Sequence, residues 1–346
     1  MELCVGQNKQ RALFICKQRL SYGNSYGLLN SASFIVDYLN SIGITSELTS
    51  VIDANEVDKK ITEYDPLFVF IEALWITPEK LKEIMSLKRH KKRVFIIRIH
   101  SRVTFIANEG IAFSWLTGYR ELGFKNLLVA PNNLEFAEDL HEIYNMQSIY
   151  LPNIYSPPLP DDNDKTLPKE PKVMKIGCFG SLRPMKNHLA QAIGAVKFAE
   201  DINRGLEFHV NATRMEQQGD QVLKNLRAFF NGLEQKYILV EHDWLDYQSF
   251  IKLVQRMDIG MQVSLSETFN IIAADFVNNN IPMIASDQIS WMPSRFKVDD
   301  PNSTAEICEA LKYAWSYRGY ILRRSSKRAL IAYNQVAKNI WNKFIL

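Results

Sequence analysis

Two acids and two cations carry the chemistry that this chain spells out. Glu267 and Asp275 sit eight residues apart in the stretch 259–286, and Arg183 and Lys186 follow a buried strand earlier in the chain. The 259–286 stretch reads as a buried strand over 259–263, a polar elbow over Ser264–Glu267, a helix over Thr268–Asn280 and a second buried strand over Pro282–Ala285. Such a βαβ unit opens its ligand side at the strand C-terminus and the helix N-terminus. Amides there, near Thr268, Phe269, Asn270 and Ile271, attract a phosphate through unpaired N–H groups and the helix dipole. Asp275 would lie roughly 12 Å beyond Glu267 along a helix rising about 1.5 Å per residue. An acid, an anion site and a second acid can read three parts of one extended anionic ligand.

The cations belong to Gly177–Asn187, which leaves the strand expected at 175–179. Gly180 permits a tight turn and Pro184 suits a helix start, which aims Arg183 and Lys186 at the ligand edge. Two cations there can neutralise charge building on a leaving diphosphate. Taken alone, each pattern also fits a solvated helix face or a capped loop. Their shared place at the ends of apolar strands is what points to a ligand.

The elements that position these residues form two strand–helix alternations. The first runs through strands at 12–16, 45–51, 67–71, 94–99, 127–130 and 148–151, with helices at 29–41, 55–64, 78–87, 110–122 and 134–144 between them. Six of the thirteen prolines then fall between Pro152 and Pro171, among Asp161, Asp162 and Asp164, a composition that reads as a linker. The alternation resumes from Lys175, and helical stretches over 304–340 close the chain. The domains expected are 1–151, a linker at 152–171, 172–317, and a final helix within 318–346.

Composition bounds the rest. The chain of 346 residues is long enough for two cores, and its net charge of +3 does not announce nucleic acid. Four scattered cysteines with no CxxC indicate neither zinc nor disulfides and fit a reducing cytoplasm. Neither a leader nor a membrane span is expected, because the longest apolar run, Leu67–Ile76, is short and carries Glu72. With no GxGxxG and no GxxxxGK[ST], a nicotinamide enzyme or P-loop ATPase is excluded. Asp162, Asn163 and Asp164 spell a DxD of the kind that holds a metal, but they lie in the linker. Glu267 and Asp275 are too far apart for a glycosidase pair, which needs about 5–9.5 Å.

The elbow with its two acids resembles the GT-B glycosyltransferases, above all the retaining family with a Glu-x7-Glu signature. The resemblance implies two Rossmann-like doubly wound α/β domains facing a cleft, with C-terminal helices, the last crossing back to the first domain. It also implies a nucleotide-diphosphate sugar, UDP-linked, as co-substrate, with no resident cofactor and no metal. Glu267 would meet the sugar, Thr268 through Ile271 the diphosphate, and Asp275 the ribose. Lys186 matches the family's lysine, and Arg183 stands in for an arginine whose place Ser181 occupies beside Gly180. His100, leaving the fourth strand in Ile99–Arg102, matches a histidine able to bond a sugar hydroxyl, with Arg102, Glu109 and Asn132 on the same edge. Asn211, Thr213 and Arg214, with His242, Asp243 and Trp244, follow strands that surround the base in similar enzymes. Tyr22–Gly27 stands where the family has a glycine-rich loop. The competing class is a non-catalytic sugar-nucleotide or nucleic-acid binder.

The acceptor is less legible. Ile99–Arg102, Ala107–Gly110 and Val263–Asn270 resemble segments of transferase-like proteins of tailed phages, which implies a hydroxymethylated pyrimidine in DNA as one acceptor. The basic runs Lys88–Arg93 and Arg323–Arg328 would then meet phosphates. Trp115 and Tyr119 would receive a flipped base. The alternative acceptor is a surface polysaccharide or lipid-linked glycan.

Overall fold

The structure is a computed structural model, and it describes residues 10–18, 26–158 and 171–346. Tyr22–Ser25, most of the proline-rich linker and Asp162–Asp164 lie outside the described residues. The first part of the chain runs β1 (Arg11–Lys17), α1 (Tyr26–Ser41), β2 (Thr45–Val51), α2 (Asn55–Tyr64), β3 (Phe68–Glu72), α3 (Pro78–Ser86), β4 (Val94–Ile99), α4 (Val103–Ile106), α5 (Ala112–Glu121), β5 (Leu127–Pro131) and α6 (Leu134–Glu142). The second runs β6 (Val173–Gly177), α7 (His188–Asp201), β7 (Gly205–Asn211), α8 (Gly219–Asn231), β8 (Tyr237–His242), α9 (Tyr247–Val254), β9 (Ile259–Gln262), α10 (Ile271–Asn278), β10 (Met283–Ser286), β11 (Lys297–Val298), α11 (Thr304–Ser316) and α12 (Tyr320–Ile345).

All strand pairs are parallel, in two sheets ordered β2-β1-β3-β4-β5 and β11-β10-β9-β6-β7-β8. Central strands such as β3 and β9 are buried along their whole length, as parallel strands covered by helices on both faces must be. In each sheet the chain builds outward on one side and then returns to build on the other. The order therefore reverses between β1 and β3 in one sheet and between β6 and β9 in the other. At such a switch point the loops leave in opposite directions and open a crevice beyond the strand C-termini.

Packing gathers the chain into two compact units, Met1–Pro157 with Ala337–Leu346, and Pro158–Val336. The last turns of α12 belong to the first unit through Trp341, whose indole lies against Phe14 and Phe70 and donates to the Pro152 carbonyl at 2.8 Å. Among the described residues no helix is long and apolar enough to cross a membrane.

Three local expectations are corrected. Residues 148–151 do not extend the first sheet as a strand. Val129 donates to Gln147, Ile149 to Val129 and Leu151 to Pro131, but Pro131 has no N–H for the next rung of that parallel ladder. The helix after the elbow starts at Ile271 rather than Thr268, because Asn270 caps it by accepting from the Ala273 amide at 2.9 Å. β6 ends at Gly177, so Cys178 and Phe179 already belong to the loop that carries the cations.

Candidate functional site

The loop after β6 and the elbow after β9 are tied together by buried amide side chains. Gln191, in the first turn of α7, donates to the Lys186 carbonyl at 2.7 Å and accepts from the Val263 amide at 2.8 Å. Asn187 donates to the carbonyls of Val263 at 3.2 Å and Pro301 at 2.6 Å, and the Leu265 amide donates to Met185 at 2.9 Å. Gln262 donates to the Phe179 carbonyl at 3.0 Å and accepts from Asn270 at 2.8 Å. Each bond contributes about 1 kcal/mol net, and together they fix both loops at the β6/β9 switch point. Asn187 and Asn270 both have φ of +56°, a left-handed conformation that asparagine tolerates better than other side chains. That tolerance suits asparagine to position 270, which caps α10 from a left-handed conformation.

This scaffold brings Lys186 and Glu267 into direct contact as an ion pair. Both are nearly buried, with 10% and 9% of their side-chain surfaces exposed. Gly180, at φ +119°, lies beside them: a Cβ there would come within 3.2 Å of Ile272 and 4.0 Å of the Lys186 Nζ. Ile271 and Ile272 form the first turn of α10, where amides have no partner within the helix. A cation, a carboxylate, a bare backbone turn and helix N–H groups thus converge on one edge.

Arg183 takes a different partner, donating to Glu216 at 3.1 Å. Glu216 is a hub that the sequence reading missed, since it also accepts from Ser181 at 3.2 Å and from Arg214 at 2.9 and 3.0 Å. Burial pushes the Glu216 carboxyl upward, but Arg183 and Arg214, with hydrogen bonds from Arg214 and Ser181, outweigh it and hold the group below its ordinary value. The two expected cations therefore stand in two separate carboxylate pairs.

The other residues singled out in the sequence have the following places. Phe269 is core: its ring lies between Trp291 and Tyr333, and its carbonyl accepts from the Trp291 indole at 2.7 Å. Asp275 is buried and accepts from the Tyr247 hydroxyl at 3.0 Å, inside the helix layer. The Arg214 guanidinium covers one face of the Trp244 ring at 4.9 Å, while the Trp244 amide donates to Thr213. Thr268 stays in the elbow ahead of the helix. His100 belongs to the first unit, with its Nε2 at 2.6 Å from Glu72.

His188, the first residue of α7, is 1% exposed, and neither ring nitrogen has a partner among the described residues. Burial first, then Lys186 and Arg183, push its pKa down from 6.5 to about 3. It stays neutral when folded and protonates near 6.5 when unfolded, so its contribution to stability is lost as pH falls from 6.5 toward 3. His188→Leu is expected to flatten the acid limb of stability by up to one proton, about 1.4 kcal/mol per pH unit. Urea unfolding between pH 7 and pH 4 checks this, and an unchanged slope counts against it.

The only His, Cys, Asp and Glu atoms among the described residues grouped closely enough to share an ion belong to Asp201, Cys308 and Glu309. The Lys312 ammonium already sits there, 2.5 Å from Asp201 and 2.7 Å from Glu309, at the far end of α7 from Lys186.

The two parallel, doubly wound units define the GT-B fold, and solved structures share it. A glycosyltransferase from Rickettsia africae ESF-5 matches with a TM-score of 0.66 and 15% identity, over 96% of this chain and 99% of that one. A UDP-forming α,α-trehalose-phosphate synthase from Burkholderia xenovorans matches with a TM-score of 0.67 and 11% identity, over 96% and 98%. A structure described as trehalose-6-phosphate from E. coli bound with UDP-2-fluoro glucose matches with 0.66 and 10%, over 96% and 98%. No protein-family model matches the chain, and no curated protein matches it in sequence.

Proposed function

We propose that the chain is a cytoplasmic glycosyltransferase that moves a sugar from a nucleotide-diphosphate sugar, UDP-linked, to an acceptor hydroxyl with retention of anomeric configuration. The observation that carries this reading is the Lys186–Glu267 pair beside Gly180 and the first turn of α10. The fold shared with structures named as glycosyltransferase and UDP-forming synthase supports it. In this reading Lys186 and the α10 amides take the charge of the leaving diphosphate, and Glu267 accepts from a donor-sugar hydroxyl. Arg183 and Arg214 are held in a separate cluster on Glu216. The bond from the anomeric carbon to phosphate oxygen breaks as the bond to acceptor oxygen forms, and the acceptor proton passes to the leaving phosphate. That route needs no protein nucleophile.

UDP release across a panel of UDP-sugars tests the reading, and the anomeric configuration of the product tests retention. No release with any sugar nucleotide would return the chain to a binding role. Lys186 and the helix amides supply positive charge of the kind that a divalent ion supplies elsewhere, so EDTA is expected to leave turnover within about twofold. A loss restored by magnesium or manganese would overturn that expectation.

For the acceptor, several of the residues matched to DNA have structural work. In the first basic run Arg89 pairs with Asp58, Arg93 with Asp65, and His90 is fully buried against Asp58, leaving Lys88, Lys91 and Lys92 on the surface. Tyr119 is buried, with its hydroxyl on the Ile76 carbonyl, and Lys327 of the second run is buried as well. A hydroxymethylated pyrimidine therefore rests on Lys88, Lys91, Lys92, Trp115 and the second run's Arg323, Arg324 and Arg328, and a saccharide hydroxyl asks less of this surface. Labelled UDP-glucose offered to hydroxymethyl-containing DNA and to saccharide and lipid fractions separates the two by where label accumulates.

A further inference from the structure

The two sheets leave four edge strands, β2, β5, β8 and β11, and three of them are closed to further pairing. β2 is polar and carries Glu47 at its middle. β5 ends at Pro131 and is already bonded along its outer side by Gln147, Ile149 and Leu151. β11 is two residues long and begins with Lys297. Charge, proline, coverage and shortness are the devices that keep a sheet edge from pairing with another chain.

The centre of β8 has none of them. The strand runs six residues, Tyr-Ile-Leu-Val-Glu-His, without proline or glycine, and Ile238–Val240 is apolar. Ile238 is 47% exposed, and Leu239 and Val240 are half-buried. The amides of Leu206 and Ala212 donate to the carbonyls of Lys236 at 2.8 Å and His242 at 2.9 Å, so these residues turn their backbone groups toward β7. Ile238 and Val240, at the same period, do likewise. Tyr237, Leu239 and Glu241 alternate with them and face outward, where no strand lies among the described residues. The Tyr237 amide is taken up by the Glu234 carbonyl at 3.0 Å, which leaves both backbone groups of Leu239 and Glu241 and the Tyr237 carbonyl on the edge.

We propose that β8 is a self-association surface, on which a second copy of this chain pairs antiparallel about a two-fold axis through Leu239. An edge that pairs with itself meets its own sequence reversed, so the register decides whether it fits. Opposed residues must both face the other strand or both face away from it. Centred on Leu239, that residue exchanges both its bonds with its own counterpart, and the Glu241 amide donates to the Tyr237 carbonyl of the other copy. Ile238 then lies opposite Val240, so the apolar surface that each copy exposes is covered by the other. Charge fits the same register. Glu241 stands opposite Tyr237, over whose ring the Lys236 ammonium lies at 4.9 Å, and so each end sets a carboxylate beside an ammonium. Lys236 itself stands opposite His242, whose pKa burial and Arg256 lower, and meets no like charge at neutral pH. Shifted registers fail: centring on Glu241 opposes two carboxylates, and centring on Tyr237 needs the amide that Glu234 holds. Centring on Ile238 sets Lys236 against Val240, and centring on Val240 sets Glu241 against Leu239. The reverse of its own sequence thus meets the apolar, charge and backbone demands of this edge together.

Sedimentation of the full chain between about 1 and 100 μM, a range suited to an interface too small for tight binding, is expected to show the mass doubling with concentration. Ile238→Lys, at a position already exposed in one copy, is expected to weaken association about tenfold or more by burying unpaired ammonium groups, with the urea midpoint of the dilute chain unchanged. Cross-linking fixes the register. Opposed hydrogen-bonded residues hold their Cα atoms about 5.5 Å apart, within disulfide reach, so mild oxidation is expected to link two copies of Leu239→Cys. It is expected to leave Val240→Cys unlinked, because that position lies opposite Ile238. A chain that is monomeric throughout the range overturns the inference. So does a dimer indifferent to Ile238→Lys, or one that Leu239→Cys fails to link. These readouts are of mass and need no turnover, so a chain inert to every sugar nucleotide leaves them unaffected.

Discussion

Lys186→Ala and Glu267→Ala are each expected to lower UDP release about a hundredfold or more, the usual loss when a charge partner of the transition state is removed. The structure makes the outcome more specific. The two side chains are about nine-tenths buried and paired with each other, so removing one strands the other's charge, a cost of about 3–5 kcal/mol for a fully buried pair. The double variant Lys186→Met/Glu267→Gln removes both charges with little change of volume. It is expected to recover most of the stability and none of the turnover. Urea unfolding beside a UDP-release assay distinguishes the two effects, and wild-type turnover in either single variant would sink the assignment.

Glu216→Gln is expected to cost about 2–3 kcal/mol at pH 7, the lower end for breaking a buried ionic cluster, because 24% of the Glu216 side chain is exposed. It leaves Arg183 and the buried Arg214 facing a neutral amide. The pH dependence follows from the lowered carboxyl pKa. The wild-type contribution is present above the ordinary value of 4.5 and disappears as pH falls through the lowered folded value. The gap between variant and wild type should therefore close in acid. A gap of constant size down to pH 3 would mean that packing, not charge, accounts for the loss.

The fold was legible because its strands are uninterrupted apolar runs, and both faces of a parallel sheet demand such runs. Lys186 and Glu267 were legible because each stands just past one of those runs. Glu216 was not, since it lies beyond β7 in a polar loop, and nothing local marks the two arginines and the serine that converge on it. Glu72 was read as an interruption of an apolar run, although its partners Arg98 and His100 stood at the end of the next strand. Gln191 and Gln262 look like ordinary polar residues in a helix and a strand, and only their partners across the switch point give them a role. For Asp275 the spacing from Glu267 suggested a ligand, and the bond it accepts from Tyr247 is a partner that spacing does not reveal. Spacing along the chain reveals which edge a residue reaches, not which side chain it meets there.

The reversed strand order also sets when the site can exist as the chain is synthesised. β9 docks beside β6 only after β7 and β8 have been made, so the ties across the switch point span 72 residues for Gln191–Val263, 81 for Lys186–Glu267 and 114 for Asn187–Pro301. Contacts of that span form late, because the loop-closure cost precedes any gain. A nascent chain that has passed β8 but not β9 already carries Lys186 and Arg183, while one whole edge of β6 stays unpaired. An open edge on an apolar strand is a template for pairing with another chain. Translational pausing within 243–258 would thus prolong the most aggregation-prone stage of the second unit, whereas a pause after β11 would find both edges of β6 paired.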